Sequence, residues 1–216
     1  MESNSFGFKE ISRQALLRLP YYLTYLKKSQ ALGSVNISAP KVAEDLGLNE
    51  VQVRKDLAAV STCPGKPKTG YELNRLISDM ESFLGYDNVN EAVIVGVGSL
   101  GKALYNYKGF QDYGLNIVAG FDSLNYDKAT QKSEKPIFPS SKLQELCKRM
   151  NIKLGIITVP EDCAQSVCDE LVKSGVLAIL NFAPVHLKAP PEIIIQDVNL
   201  ASSLAVLSTH LRNAIK

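Results

Sequence analysis

The stretch AVIVGVGSLGKAL, Ala92–Leu104, decides how this chain is read. EAVIVGV is an apolar run suited to a buried strand, Gly96-x-Gly98-x-x-Gly101 a tight turn, and LGKALYNY the start of a helix. Strand, glycine turn and helix in that order build a dinucleotide site. The first glycine makes the turn, the second lets backbone approach a pyrophosphate, and the third lets helix pack on strand. The helix N-terminus then faces negative charge. Gly96, Val97, Gly98, Ser99, Leu100 and Gly101 are therefore candidate cofactor-binding residues. In most simple dehydrogenases such a unit opens the chain; here about ninety residues precede it.

Downstream, LNIVAGFD reads as a second strand ending at Asp122, 24 residues after Gly98. That is close to the spacing of the acid that takes the adenosine ribose hydroxyls. A carboxylate there repels a 2′-phosphate, which favours NAD(H) over NADP(H). KLGIITVP, VLAILNFAP and PEIIIQDVN are further apolar runs, the first two separated by the helical segment EDCAQSVCDELVKSG. Apolar strands alternating with helices predict a doubly wound parallel sheet, an α/β fold of Rossmann type. The strand ends Thr158–Val159–Pro160 and Asn181–Phe182–Ala183–Pro184 are expected at the crevice where a nicotinamide sits. Phe182 packs on the ring or in the core; spacing does not separate the two.

Upstream, ISRQALLRLPYYLTYLKKS has Ile11, Ala15, Leu16, Leu19, Leu23 and Leu26 near helical spacing, with Pro20 expected to kink or reset the helix. In ISAPKVAEDLGLNEVQVRKDLAAVS, Ser38 caps a helix with Val42, Ala43 and Leu46 inward, and Gly47 ends it. Asn49 opens a second helix, with Gln52 completing a capping box and Val53, Leu57 and Val60 on one stripe. Short helix, glycine turn and second capped helix make a helix-turn-helix pattern, whose second helix enters the DNA major groove. Gln52, Arg54 and Lys55 suit that role: arginine reads guanine, glutamine reads adenine, and lysine neutralises phosphate. STCPGKPKTGYEL then reads as a wing hairpin bringing Lys66 and Lys68 to the DNA backbone. The same pattern also fits a small helical oligomerisation domain with solvated charges; the adjoining nucleotide site favours DNA.

Composition agrees with two domains. The chain has 216 residues, 45% of them hydrophobic, enough for a sizeable core. Residues 1–75 carry 11 Lys+Arg against 7 Asp+Glu, net +4, and the remainder 13 against 15, net −2. A basic front half points to a polyanion. No apolar run approaches the roughly 20 residues that span a bilayer, and the N-terminus lacks a signal-peptide pattern, so a cytoplasmic protein is expected. Cys63, Cys147, Cys163 and Cys168 form no CxxC or zinc spacing; reduced thiols and no metal are expected, with Cys63, in a polar loop near Lys66 and Lys68, the one candidate for a reactive thiol. His186 and His210 sit in no recognisable catalytic spacing, so no catalytic residue is assigned.

RLPYYLTYL, VQVRKDL, GVGSLGKALYNY, FD, TVP and LNFAP, followed by a C-terminal helix, occur here in that order across nearly the whole chain. In this the sequence resembles the Rex family of bacterial redox-sensing transcriptional repressors. The resemblance implies a homodimer with a winged helix-turn-helix domain over residues 1–85, a Rossmann NAD(H)-binding domain over 86–196, and a dimerisation helix over 197–216. It implies that the NAD⁺ form holds an inverted-repeat operator in double-stranded DNA, and that NADH closes the dimer and releases it. It also implies that the last helix swaps onto the partner; Leu200, Leu204, Leu207, Leu211 and Ile215 form a suitable stripe. Carried over by position, Arg18 matches an arginine linking the domains, and Tyr107 a tyrosine reaching the partner's nicotinamide pocket.

Three departures from the family pattern stand out. The aromatic, glycine-rich stretch usual after RKDL is here AAVSTCPGKPKTGY, so wing contacts and operator are expected to differ. The aspartate usual at the start of the last helix is Asn199, which cannot form the same ion pair with Arg18. The usual glycine-loop asparagine is Ser99. Two other functions fit parts of the pattern: a small NAD-dependent oxidoreductase with a helical accessory domain, and a CoA- or nucleotide-binding module that does not touch DNA.

Overall fold

The computed structural model describes residues 11–88, 90–123 and 135–215. The chain divides into two compact units, Met1–Asn88 and Val89–Lys216.

The first unit starts with α1 (Arg13–Ala31), capped by Ser12, whose hydroxyl accepts from Ala15 N. The helix is not reset at Pro20 but runs unbroken through it. Proline removes one helical N–H and crowds the turn before it. That turn, at Leu16 and Leu17, is exposed, while Leu19, Tyr22, Leu23 and Leu26 anchor the helix in the core on the other face. Leu16, expected inward, is thus outside the core and Tyr22 lies within it.

β1 (Asn36–Ile37) leads into α2 (Ala39–Leu46). Ser38 caps α2 through Lys41 N, and Gly47 closes it at φ +63°, a conformation glycine adopts without penalty. α3 (Glu50–Val60) begins at Asn49, whose Oδ1 accepts from Gln52 N at 3.1 Å. Losing such a cap costs about 1 kcal/mol. Val53, Leu57 and Val60 are buried as their spacing predicts. The chain then forms a narrow hairpin in which Lys66 and Gly70 exchange both backbone hydrogen bonds, at 2.7 and 2.8 Å. β2 (Tyr71–Glu72) pairs antiparallel with β1, and α4 (Leu73–Leu84) closes the core. Asp79 on α4 is buried and accepts from both Thr62 N and Thr62 Oγ1, fixing the root of the hairpin. Helix, strand, two helices, hairpin, strand and helix is the winged-helix order.

The second unit is a six-stranded parallel sheet built from β3 (Asn90–Val95), β4 (Leu115–Asp122), β5 (Ile137–Pro139), β6 (Leu154–Ile157), β7 (Ala178–Asn181) and β8 (Ile194–Asp197). Their order is β5-β4-β3-β6-β7-β8. The order reverses between β3 and β6, the topological switch point of the Rossmann fold. Val93 and Val95 lie in one core cluster, Ala92 and Ile94 in the other. Burial on both faces explains why this strand reads as one continuous apolar run. α5 (Ser99–Tyr105), α6 (Leu143–Arg149) and α7 (Glu161–Lys173) are among the helices of this unit. β5 was not foreseen; three residues are too few to show a period. α8 (Leu200–Ala214) ends the described chain and has no buried residue.

Candidate dinucleotide groove and DNA-facing helix

Glycine makes the turn after β3 possible for three separate reasons. Gly96 has φ +93°, and a Cβ there would lie 2.8 Å from Thr158 C and O. A Cβ on Gly101 would lie 1.9 Å from Gly96 O. A Cβ on Gly98 would meet nothing within 4 Å, so that backbone is open to a ligand. Thr158 locks the turn from β6: its Oγ1 donates to Gly96 O at 2.6 Å and its N–H to Val95 O at 2.9 Å. From β4, Asp122 Oδ2 accepts from Val97 N at 2.8 Å.

These strand ends border a groove of about 780 Å³. Gly96, Gly98, Leu100, Asp122, Thr158, Val159, Pro160 and Phe182 line it, as the sequence suggests. Val97, Ser99 and Gly101 belong to the turn but not to the lining. Asn181 is fully buried and outside it: its amide donates to Val185 O and Asp197 Oδ1, and its Oδ1 accepts from Ala183 N. It shapes the LNFAP turn. Phe182 both lines the groove and packs against a core cluster. Tyr107 lies elsewhere on its own chain, half-exposed and stacked edge-on against Phe110.

The sequence reading missed Ser123, Ser140, Asp162, Cys163, Ser166 and Val167, which also line the groove. The last four share one face of α7, a spacing of 1, 4 and 5 that was legible; Ser140 follows the unforeseen β5. Asp122 and Asp162 are acidic, and no Lys or Arg is among the described lining residues. The open backbone at Gly98, the locked turn and the ribose-positioned acid fit a dinucleotide. Neither His186 nor His210 lines the groove; His186 Nδ1 lies 3.1 Å from Asp197 Oδ2.

In the first unit, Arg54 and Lys55 are exposed on α3, and Arg54 pairs with Glu50 one turn earlier. Lys66 and Lys68 are exposed on the hairpin. Gln52 is exposed too, but it does not complete a capping box. Its side chain faces Arg18 instead, and with Oε1 toward the guanidinium it accepts from Nη1 at 2.9 Å and Nη2 at 3.0 Å. Arg18 also donates from Nε and Nη2 to Asp56 Oδ2, at 2.9 and 2.8 Å, and Tyr22 Oη donates to the same oxygen at 2.9 Å. Burial raises the Tyr22 pKa, and its hydrogen bond to Asp56 adds to the effect. Asn199 Oδ1 caps α8 through Ser202 N at 3.0 Å.

Fold and groove define a class: a Rossmann-like nucleotide-binding unit carried in one chain with a winged-helix DNA-binding unit. Over 190 residues, 88% of this chain and 90% of the relative, the sequence is 40% identical to the redox-sensing transcriptional repressor Rex of Treponema denticola. The chain belongs to the Rex family of redox-sensing transcriptional repressors. Two family models match its parts, "Putative DNA-binding protein N-terminus" over residues 10–58 and "CoA binding domain" over residues 87–185. Among solved structures, the Rex-family repressor RSP in complex with β-NAD⁺ and operator DNA is similar at a TM-score of 0.86. It is 30% identical, covering 95% of this chain and 94% of that one. RSP in complex with β-NADH is similar at 0.81, with 30% identity and 95% and 96% coverage.

Proposed function

We infer that this protein is a cytoplasmic, homodimeric repressor that binds a palindromic operator and releases it when NADH replaces NAD⁺. The observation that carries this is the groove at the β3–β6 switch point, with Gly98 backbone open and Asp122 at its edge. RSP, with the same fold, was solved with β-NAD⁺ and operator DNA and with β-NADH. Gly96, Gly98, Leu100, Asp122, Thr158–Pro160 and Phe182 hold the cofactor; Arg54, Lys55, Lys66 and Lys68 meet DNA. The chain is a sensor, not an enzyme, and its groove offers no histidine for acid–base work.

The apolar stripe of α8 supports the dimer. Leu200, Leu204, Leu207, Leu211 and Ile215 are each more than half exposed, and burying such a side chain stabilises by about 1.5–3 kcal/mol. A swapped α8 would cover the stripe. Arg18, Tyr107 and Asn199 are assigned to the coupling between cofactor and DNA.

The CoA reading is less favourable on charge. CoA carries an extra phosphate on its adenosine ribose, and Asp122 and Asp162 in the groove lining set like charge against it. The deciding experiment is a titration of palindromic DNA at fixed salt with NAD⁺, NADH or CoA present. DNA affinity falling with NADH alone is expected. Cofactor-independent binding would remove the sensor role, and absence of any salt-dependent binding would remove the repressor role.

A further inference from the structure

On the proposed DNA face of α3, Gln52 is the side chain with the greatest chemical choice. A free glutamine offers an acceptor and a two-proton donor side by side, which is what adenine N6 and N7 require. In this protein the choice is restricted. A carboxamide oxygen has two lone pairs, and with that oxygen turned toward Arg18 both are met, from Nη1 and Nη2. The opposite orientation would set the amide NH₂ against guanidinium N–H groups, donor against donor. Arg18 is itself held by buried Asp56, with Tyr22 donating to the same carboxylate oxygen. Asp56 is only 6% exposed, so its charge needs the arginine nearby.

We propose that Arg18 is a specificity-determining positioning residue: docked on Asp56 and Tyr22, it makes Gln52 a donor-only reader that selects guanine rather than adenine. Guanine presents two adjacent acceptors, N7 and O6, to the remaining NH₂ group, whereas adenine N6 presents a donor and finds no acceptor. The inference rests on the DNA-binding reading above and deepens it. It gives Arg18 a second consequence: when the guanidinium leaves Asp56, the Gln52 oxygen is released and the base preference of α3 changes. The state of Arg18 is then written into sequence selection as well as affinity.

The test uses the full-length chain with NAD⁺ and a palindromic DNA library randomised in the half-site. The position read by Gln52 is the one whose preference disappears in Gln52→Ala. The parent protein should prefer guanine there over adenine by about tenfold, near the lower range for a good base contact. Arg18→Ala should move the preference toward adenine. Arg18→Lys keeps a cation for Asp56 but lacks the fork that saturates one oxygen. It should show an intermediate preference, and it serves if the alanine variant does not fold. Adenine preference in the parent, an unchanged preference in folded Arg18 variants, or no position lost in Gln52→Ala would overturn the proposal. If the parent binds no DNA in the library, the repressor reading itself fails; DNA binding with any of the three overturning patterns fails this proposal alone.

Discussion

Asp122 and Val97 are joined by a hydrogen bond of 2.8 Å from the Val97 backbone N–H to Asp122 Oδ2. The acid at the end of β4 is thus tied to the glycine turn after β3. Its charge is held at the groove edge and helps set the loop proposed to meet the pyrophosphate. NADH should therefore bind much more tightly than NADPH. Asp122→Ala should weaken NADH by about 1.5–3 kcal/mol, the range for a charge-assisted hydrogen bond, and narrow its lead over NADPH. Calorimetry with both cofactors measures this; equal affinities in the parent protein would remove the assignment.

Arg54 and Lys55 are next on the proposed DNA face. Arg54 must exchange its exposed pairing with Glu50 for DNA, a small cost because exposed ion pairs contribute little. Arg54→Ala should cost about 1–3 kcal/mol on the operator if the guanidinium reads a base. Lys55→Ala should lower the salt slope by about one unit. Fluorescence anisotropy across a salt series separates the two effects, and no change in either variant would assign α3 another role.

The four thiols fall into two pairs. Cys63 and Cys163 are exposed, Cys147 and Cys168 buried. Burial pushes the Cys147 thiol up to about 11 and also raises Cys168. At pH 8 two thiols should react quickly with a disulfide reagent and two only on unfolding. Cys163 lines the groove, so saturating NADH should slow its labelling and leave Cys63 unaffected. The stability contributed by the buried neutral thiols is fully present below the unfolded thiol pKa and is lost as pH rises through the raised one. A denaturation series between about pH 8.5 and 11 should show that loss.

Asn199 tests the coupling. Asparagine and aspartate cap helices about equally well, so Asn199→Asp should keep α8 intact while placing a carboxylate at its start. By linkage, whatever factor NADH removes from DNA affinity, DNA removes from NADH affinity. The aspartate variant should show a larger ratio of operator affinities between the NAD⁺ and NADH forms. A ratio that stays the same or shrinks in paired titrations would exclude Asn199 as the weak point of the switch.

Leu204 and Leu207 lie on the α8 stripe, each about 60% exposed. Leu204→Asp with Leu207→Asp should convert the proposed dimer to monomer in light scattering. A dimer that survives both charges would place its interface away from this stripe.

The sequence by itself determined the two-unit architecture and the position of the glycine turn. Local rules suffice there: Gly96, Gly98 and Gly101 have short-range reasons, Ser38 and Asn49 cap their own helices, and β3 is apolar because both its faces are covered. Asp122 was legible because a strand of known direction fixes where its last residue lies. Tertiary structure alone decided which polar groups satisfy one another. Nothing in VQVRKDL shows that Asp56 turns inward to meet Arg18 and Tyr22, 38 and 34 residues away, or that the Gln52 side chain faces the arginine instead of closing its own cap. Nor does LNFAP show that Asn181 is buried in its own turn while Cys163 and Ser140 come to the groove. Spacing along an element fixes the face a residue occupies; its partner depends on elements brought together from distant parts of the chain.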